Sequence, residues 1–289
     1  MKILTNLHDK NKLNDLLNVA DGIVLGDAKY AKTLTSDFGK DTINLIEKIF
    51  EAKKEVFILL NRVFTDKELD SVKTYIQGLP VDKITGFIGA DLGLIETFKN
   101  LNIEHKFIYN PETLLTNDED FNDLSSEGIM GTFVSKEITL EDILEIAQLK
   151  KYKMFYFGHG HMSMFYSKRP MLKTFNDHRG FDNYLHDDKR LTLTEERRLN
   201  EAYPLLEDNA GTHVFRGTVF NSFKVIESLK KVIDYFVIDT LFMDDDYAIK
   251  LIPMYKNNEI DLQLITDYKQ TLHDGFLFDE STIKGEKND

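Results

Sequence analysis

Glu55-Val56-Phe57-Ile58-Leu59-Leu60-Asn61 sets five consecutive apolar residues between two polar ends. A strand with water on one face alternates apolar and polar. This run is apolar on both faces, as a sheet covered by helices requires. Comparable runs, rich in β-branched and aromatic residues, recur on either side: Lys2–Leu7 and Gly22–Leu25 before it, then Ile84–Gly89, Glu104–Asn110, Gly128–Val134, Lys153–Gly160 and Tyr235–Leu241. Helical stripes fill the gaps between them: Ile43, Ile46, Ile49 and Phe50; Leu69, Val72 and Ile76; Leu140, Ile143, Leu144 and Ala147. Thr65 with Glu68, and Thr139 with Asp142, open two of these helices as capping boxes. Eight strands in β-then-α order over 289 residues predict an α/β chain folded as a (β/α)8 TIM-like barrel, a single domain over 1–289. The rival is an open doubly wound sheet. No G-x-G-x-x-G follows the first strand and no Walker motif is present, so nothing favours its nucleotide-binding version.

The rhythm breaks once. Between the seventh strand and a helix near Ser222–Ile233 lie about sixty residues, where a βα loop usually takes roughly 2–6. This insertion, about 161–221, follows a barrel strand and therefore sits on the face where barrels keep their sites. Residues 151–216 hold six of the seven arginines and five of the eight histidines. The segment carries a net charge of +2, against −15 for the rest of the chain. The end of the chain, about 280–289, reads as a frayed, solvated tail.

Composition excludes several classes. The net charge of −13 argues against a protein that coats nucleic acid indiscriminately, though the basic insertion leaves room for a local contact. With no cysteine, the chain has no disulfide, no thiolate nucleophile, no zinc finger and no iron–sulfur cluster of its own. No apolar run approaches the ~20 residues of a membrane helix, and the N-terminus lacks a secretory apolar region. The expected setting is soluble and cytoplasmic, with no membrane partner.

Candidate site residues cluster after the strands. Phe157-Gly158-His159-Gly160-His161 places His159 between two glycines at a strand end, where the imidazole would project from the barrel mouth as a catalytic group or simply bond into the turn. The H-x-H pair could seed a metal site, but no neighbouring carboxylate completes a ligand set, so no metal is expected. Ser167-Lys168-Arg169 sets a hydroxyl beside two cations, suited to a phosphate or carboxylate, or else a solvated basic turn. Lys136-Glu137 reads as an ion pair at the mouth after strand six, with Glu137 available as a general base. Asp91 is a site residue or the cap of the next helix. Asp244-Asp245-Asp246 reads as an N-cap with first-turn acids. Arg190, Arg197 and Arg198 are the candidates for meeting RNA or a partner, unless they pair locally with Asp187, Asp188, Glu195 and Glu196.

Five segments, in order, resemble the U32 family of collagenase-like peptidases. They are Phe57–Asn61 with Glu68-Leu69; Ile88-Gly89-Ala90-Asp91-Leu92-Gly93; Val134-Ser135-Lys136-Glu137-Ile138-Thr139-Leu140-Glu141; Phe157–Gly160 through Ser167-Lys168-Arg169; and Tyr203-Pro204, Glu207-Asp208 and Gly211-Thr212-His213. The resemblance implies a TIM-barrel-like catalytic domain, and it makes Asn61 and Asp91 substrate-binding candidates with Ser167, Lys168 and Arg169. Full family members carry cysteines in and after the H-G block, which in several branches hold a [4Fe–4S] cluster. Here Ser163 and Pro170 stand in those slots, and Lys136 stands where the family has Arg.

The chain is most similar to the short, cysteine-less members that act beside a longer cysteine-bearing paralogue in prephenate-dependent hydroxylation of the wobble uridine of tRNA. The resemblance therefore implies no cofactor on this chain, a [4Fe–4S] cluster on a partner chain, and tRNA as a further partner. The alternatives are a collagenase-like peptidase relying on Glu137, His159 and a bound metal, and a non-catalytic interaction barrel. No H-E-x-x-H, G-x-S-x-G or D-[ST]-G motif supplies a recognisable protease.

Overall fold

The computed structural model describes residues 1–182, 184–196 and 198–278; Arg197 and the tail 280–289 lie outside them. Eight parallel strands close into a barrel: β1 (Lys2–Asn6), β2 (Gly22–Gly26), β3 (Glu55–Leu60), β4 (Gly86–Gly89), β5 (Phe107–Tyr109), β6 (Gly131–Phe133), β7 (Lys153–Ser167) and β11 (Tyr235–Ile238). Each pairs with the next in that order, and β11 closes the ring by pairing with both β7 and β1. The strands β4 to β6 are three or four residues long, shorter than their runs; before β5 a turn of 3-10 helix at Glu104–Lys106 takes up the first three residues of the run.

The run that is apolar on both faces acquires its reason here. Phe57 points inward and joins a cluster that takes one residue from each other barrel strand: Leu4, Val24, Ile88, Ile108, Phe133, Phe155 and Tyr235. Phe155 and Tyr235 stack with ring centroids 4.4 Å apart, and Phe57 packs edge-on against Tyr235 at 5.4 Å. The alternate residues Val56, Ile58 and Leu60 face outward into the layer shared with the helices. A strand covered on both sides has no position left for a polar side chain.

The helices between the early strands are α1 (Leu13–Val19), α2 (Asp41–Glu51), α3 (Asp66–Gln77), α4 (Gly93–Asn100), α5 (Asp118–Asp123) and α6 (Leu140–Leu149). Both capping boxes form: the Thr65 N–H donates to Glu68 Oε2 at 2.7 Å, and the Asp142 N–H donates to Thr139 Oγ1 at 3.2 Å. The stripe expected on α2 is rotated. Thr42, Leu45, Ile46 and Ile49 are buried, whereas Ile43 and Phe50 are exposed. Buried positions follow the i, i+3, i+4, i+7 spacing of one helix face, and Ile43 and Phe50 fall off it despite being apolar.

The insertion is a sheet continuous with the barrel. β7 runs for fifteen residues, so its second half leaves the barrel and pairs antiparallel with β10 (Gly211–Asn221), starting at His159 opposite Asn221. β9 (Arg198–Asp208) pairs with β10, and β8 (Thr192–Glu195) pairs with β9. Helix α7 (Met171–Arg179) crosses between β7 and β8. After the insertion come α8 (Ile226–Val232), β11, α9 (Asp245–Asn257), α10 (Leu262–Asp267) and β12 (Leu272–His273), which lies parallel to β10. Asp244 caps α9, accepting the Tyr247 N–H at 2.8 Å.

Candidate active site at the barrel mouth

Side chains just beyond the C-terminal ends of the strands converge on a cavity of about 110 Å³. Asn6 ends β1, Asn61 follows β3, Asn110 and Glu112 follow β5, Lys136 follows β6, and Asp239 follows β11; all line it, together with His161 and Ser163 of β7. Strand ends place polar groups here because the barrel interior below them is filled with aromatic and branched side chains.

Two buried lysines share one carboxylate. Lys32 Nζ lies 2.7 Å from Glu112 Oε1, and Lys136 Nζ lies 3.8 Å from Glu112 Oε2. Burial alone would raise the Glu112 carboxyl, but Lys32 and Lys136 outweigh it and hold the group below the usual range. Lys32 also sits 4.4 Å from the centre of the Tyr166 ring, and Lys136 5.1 Å from that of Phe157. Burial pushes the Asp239 carboxyl up to about 6, with the Leu241 N–H and Lys136 acting against the shift.

The ion pair expected within Lys136-Glu137 does not form. Successive residues point opposite ways, so Lys136 turns to Glu112 while Glu137 lines a second cavity of about 620 Å³. That cavity lies under the insertion, walled by Met162, Met164, Tyr203, Arg216 and Phe276, and Ser163 lines both spaces.

His159 does not project from the mouth. A β-bulge sets two residues of β7, Gly158 and His159, against one step on β11, and Gly160 follows with a φ of +142°. The imidazole is thereby turned outward against α9 and is fully buried. Its Nε2 lies 2.8 Å from the Tyr247 hydroxyl and its Nδ1 3.0 Å from that of Tyr255. Burial lowers its pKa to about 3. His161 is held differently, its Nδ1–H donating to the Arg216 carbonyl at 2.7 Å, so the two imidazoles share no ligand position.

The remaining candidates are placed as follows. Asn61 Oδ1 accepts the Lys32 N–H at 2.9 Å while the side chain faces the cavity. Both oxygens of Asp91 are occupied by backbone, Oδ2 by the Phe64 N–H and Oδ1 by the Gly93 N–H at the start of α4, each at 2.8 Å. Ser167 Oγ accepts the Arg169 N–H, and Lys168 Nζ donates to the Val63 carbonyl, at the end of β7 rather than at the cavity. Arg190 pairs with Asp188 through two bonds of 2.9 and 2.7 Å, and Arg198 begins β9.

Lys32, Glu112, Asp239, Asn6 and Asn110 escaped sequence reasoning. Their one signal was position, each polar residue falling just after an apolar run or in the loop that follows it. The segment Glu207-Asp208 with Thr212-His213 also gains a role. Glu207 accepts the N–H groups of Leu172 and Lys173 at the start of α7, and Asp208 accepts the Thr33 N–H from the barrel and bonds His213. The first two and the last tie the insertion together, and the Thr33 bond latches it to the mouth.

Residues 10–274 match the sequence profile of Peptidase family U32. The chain belongs to that family. Among curated proteins, the chain is similar to the tRNA hydroxylation protein P2 of Bacillus subtilis (strain 168), 23% identical over 245 residues that make up 82% of this chain and 78% of that one. Among solved structures, the U32 peptidase Mk0906 superposes with a TM-score of 0.53 at 12% identity, covering 83% of this chain and 92% of that one, which supports the U32 barrel as a fold. The iron–sulfur cluster of cysteine-bearing U32 proteins does not fit the residues here. Ser163 is a hydroxyl at the cavity wall, the chain contains no thiolate, and no group of three His, Asp or Glu that could hold a metal occurs among the described residues. Among the described residues, no helix is long and apolar enough to cross a membrane.

Proposed function

We propose that this chain is a cluster-free subunit in the hydroxylation of tRNA at the wobble uridine, giving 5-hydroxyuridine, working in the cytoplasm beside a longer, cysteine-bearing U32 paralogue that carries a [4Fe–4S] cluster. The observation that carries this reading is the likeness to tRNA hydroxylation protein P2 across most of both chains. In this reading the redox step lies with the partner, since this chain has no thiolate with which to hold such a cluster. The same reading has the chain supply binding: the polar barrel mouth with Asn61 and Lys136, and the larger cavity under the insertion, with Glu137 on its wall as the proton acceptor.

Deleting the gene in its own cell and measuring 5-hydroxyuridine in digested tRNA by mass spectrometry tests the reading. Loss of the nucleoside, restored by the gene on a plasmid, is expected; unchanged levels would overturn it. Iron should accompany the protein only when the longer paralogue is co-expressed, whereas stoichiometric iron on this chain alone would contradict the division of labour.

A further inference from the structure

We propose that the outer face of the insertion, centred on α7, is a docking surface for a protein that presents apolar side chains rimmed by carboxylates, and that its occupant is the longer, cysteine-bearing U32 paralogue. The choice of occupant rests on the proposed function; the existence of the surface does not.

α7 is held by its backbone rather than by its side chains. The Met171 N–H donates to Thr212 Oγ1 at 2.9 Å, and the Leu172 and Lys173 N–H groups donate to Glu207 at 2.8 and 3.0 Å. Among the α-helices of the described residues it alone has no buried residue. A helix of nine residues does not persist in water without tertiary contacts, so these bonds fix its place while its apolar side chains stay uncovered. Met171 and Phe175, four residues apart, share one side of the helix and are 48% and 55% exposed. The Phe181 ring, 49% exposed, stands edge-on to Phe175 at 6.4 Å. Of the sixteen large apolar side chains exposed among the described residues, seven fall within the thirty residues 164–193. Scattered exposed apolar side chains need no explanation, but a concentration of them on one segment marks a contact surface.

Charge selects the partner. Residues 168–182 carry four basic and two acidic side chains, a net of +2 on a chain at −13. Lys173 is paired with Asp177, whereas Lys168, Arg169 and Arg179 are in no ion pair among the described residues. A second copy would bring the same surplus of cations and another net charge of −13, both repulsive. RNA is held first through its phosphates, and here the centre is apolar and the cations only flank it. A protein face with an apolar centre and an acidic rim complements both features.

Titration calorimetry of the purified full chain with the purified paralogue tests this. The wild type is expected to bind, and the double variant Phe175→Asp/Phe181→Asp to bind at least about tenfold more weakly, as when an aromatic anchor of an interface is lost. The control Ile43→Asp/Phe50→Asp, on the exposed side of α2, should bind as the wild type does. Arg169→Glu/Arg179→Glu should also weaken binding, and it keeps the test decisive should the phenylalanine variant fail to fold. No binding by the wild type would overturn the partnership and this inference together. Equal binding by the wild type and a folded phenylalanine or arginine variant would overturn this inference alone. Self-association, or binding of an anticodon stem-loop RNA, that the phenylalanine variant abolishes while the paralogue still binds it would give the face to a second copy or to RNA, and would likewise overturn the proposal.

Discussion

His159 is an imidazole with both nitrogens committed and no water in reach, and that fixes how it responds to acid. One ring N–H donates to a tyrosine hydroxyl and the bare nitrogen accepts from the other, so the neutral ring is satisfied between Tyr247 and Tyr255. Burial holds its pKa near 3, against 6.5 in the unfolded chain. Because the folded value is the lower one, its contribution to stability is whole above pH 6.5 and is lost as pH falls from 6.5 toward 3. At about 1.4 kcal/mol per pH unit, moving from pH 6.5 to 5 removes about 2 kcal/mol. His159→Gln lacks this titration. The stability gap between wild type and variant, from urea unfolding, should therefore shrink by about 2 kcal/mol between pH 7 and pH 5. A gap equal at both values would mean that the imidazole titrates as it does in water. Asp239, raised to about 6, runs the other way, but it is common to both proteins and cancels in the difference.

β7 shows where an element stops being legible. Its first half, Lys153 to Phe157, is read from the chain because residues buried on both faces must be apolar whatever their partners are. The capping boxes of α3 and α6 are equally local, and they form as read. Its second half pairs with β10, some fifty residues further on, and no local period records a partner so distant. The bulge is invisible for the same reason. H-x-H spacing puts two imidazoles on one face only if the strand stays regular, and Gly160, lying between them with a φ of +142°, breaks that condition. The mouth cluster of Lys32, Glu112, Lys136 and Asp239 is drawn from four loops and becomes a site only when the barrel closes. Gly158 permits a direct test of the element. A Cβ there would stand 2.0 Å from the Phe236 ring, and that ring is fully buried and cannot swing aside. Gly158→Ala should therefore destabilise by about 1–3 kcal/mol, the usual cost of overpacking, read as a lower urea midpoint with an unchanged slope. A midpoint equal to the wild type's would show that β7 and β11 have room to part at the bulge.

Charge is a property of the whole molecule, and its uneven placement decides how a chain at −13 could meet RNA. Residues 151–216, most of them in the insertion beyond the C-terminal ends of the barrel strands, hold six of the seven arginines. Lys53 and Lys54 sit at the opposite end, just before β3, with Lys48 in the last turn of α2. Removing three positive charges from either end gives the same net charge, so the two changes separate location from total. Arg190 is paired with Asp188, yet the arginine is 87% exposed, and such a pair is screened by salt and can exchange its carboxylate for a phosphate. If the insertion meets tRNA, replacing Arg190, Arg197 and Arg198 with Ala should lower wobble-uridine hydroxylation in cells well below that of the Lys48, Lys53, Lys54 triple variant. Binding measured with the partner present should also lose salt dependence, by about 0.7–0.9 in the logarithmic slope for each phosphate contact removed. If the two triple variants keep equal modification levels while both stay folded, the arginines of the insertion are a solvated face that makes no contact with RNA.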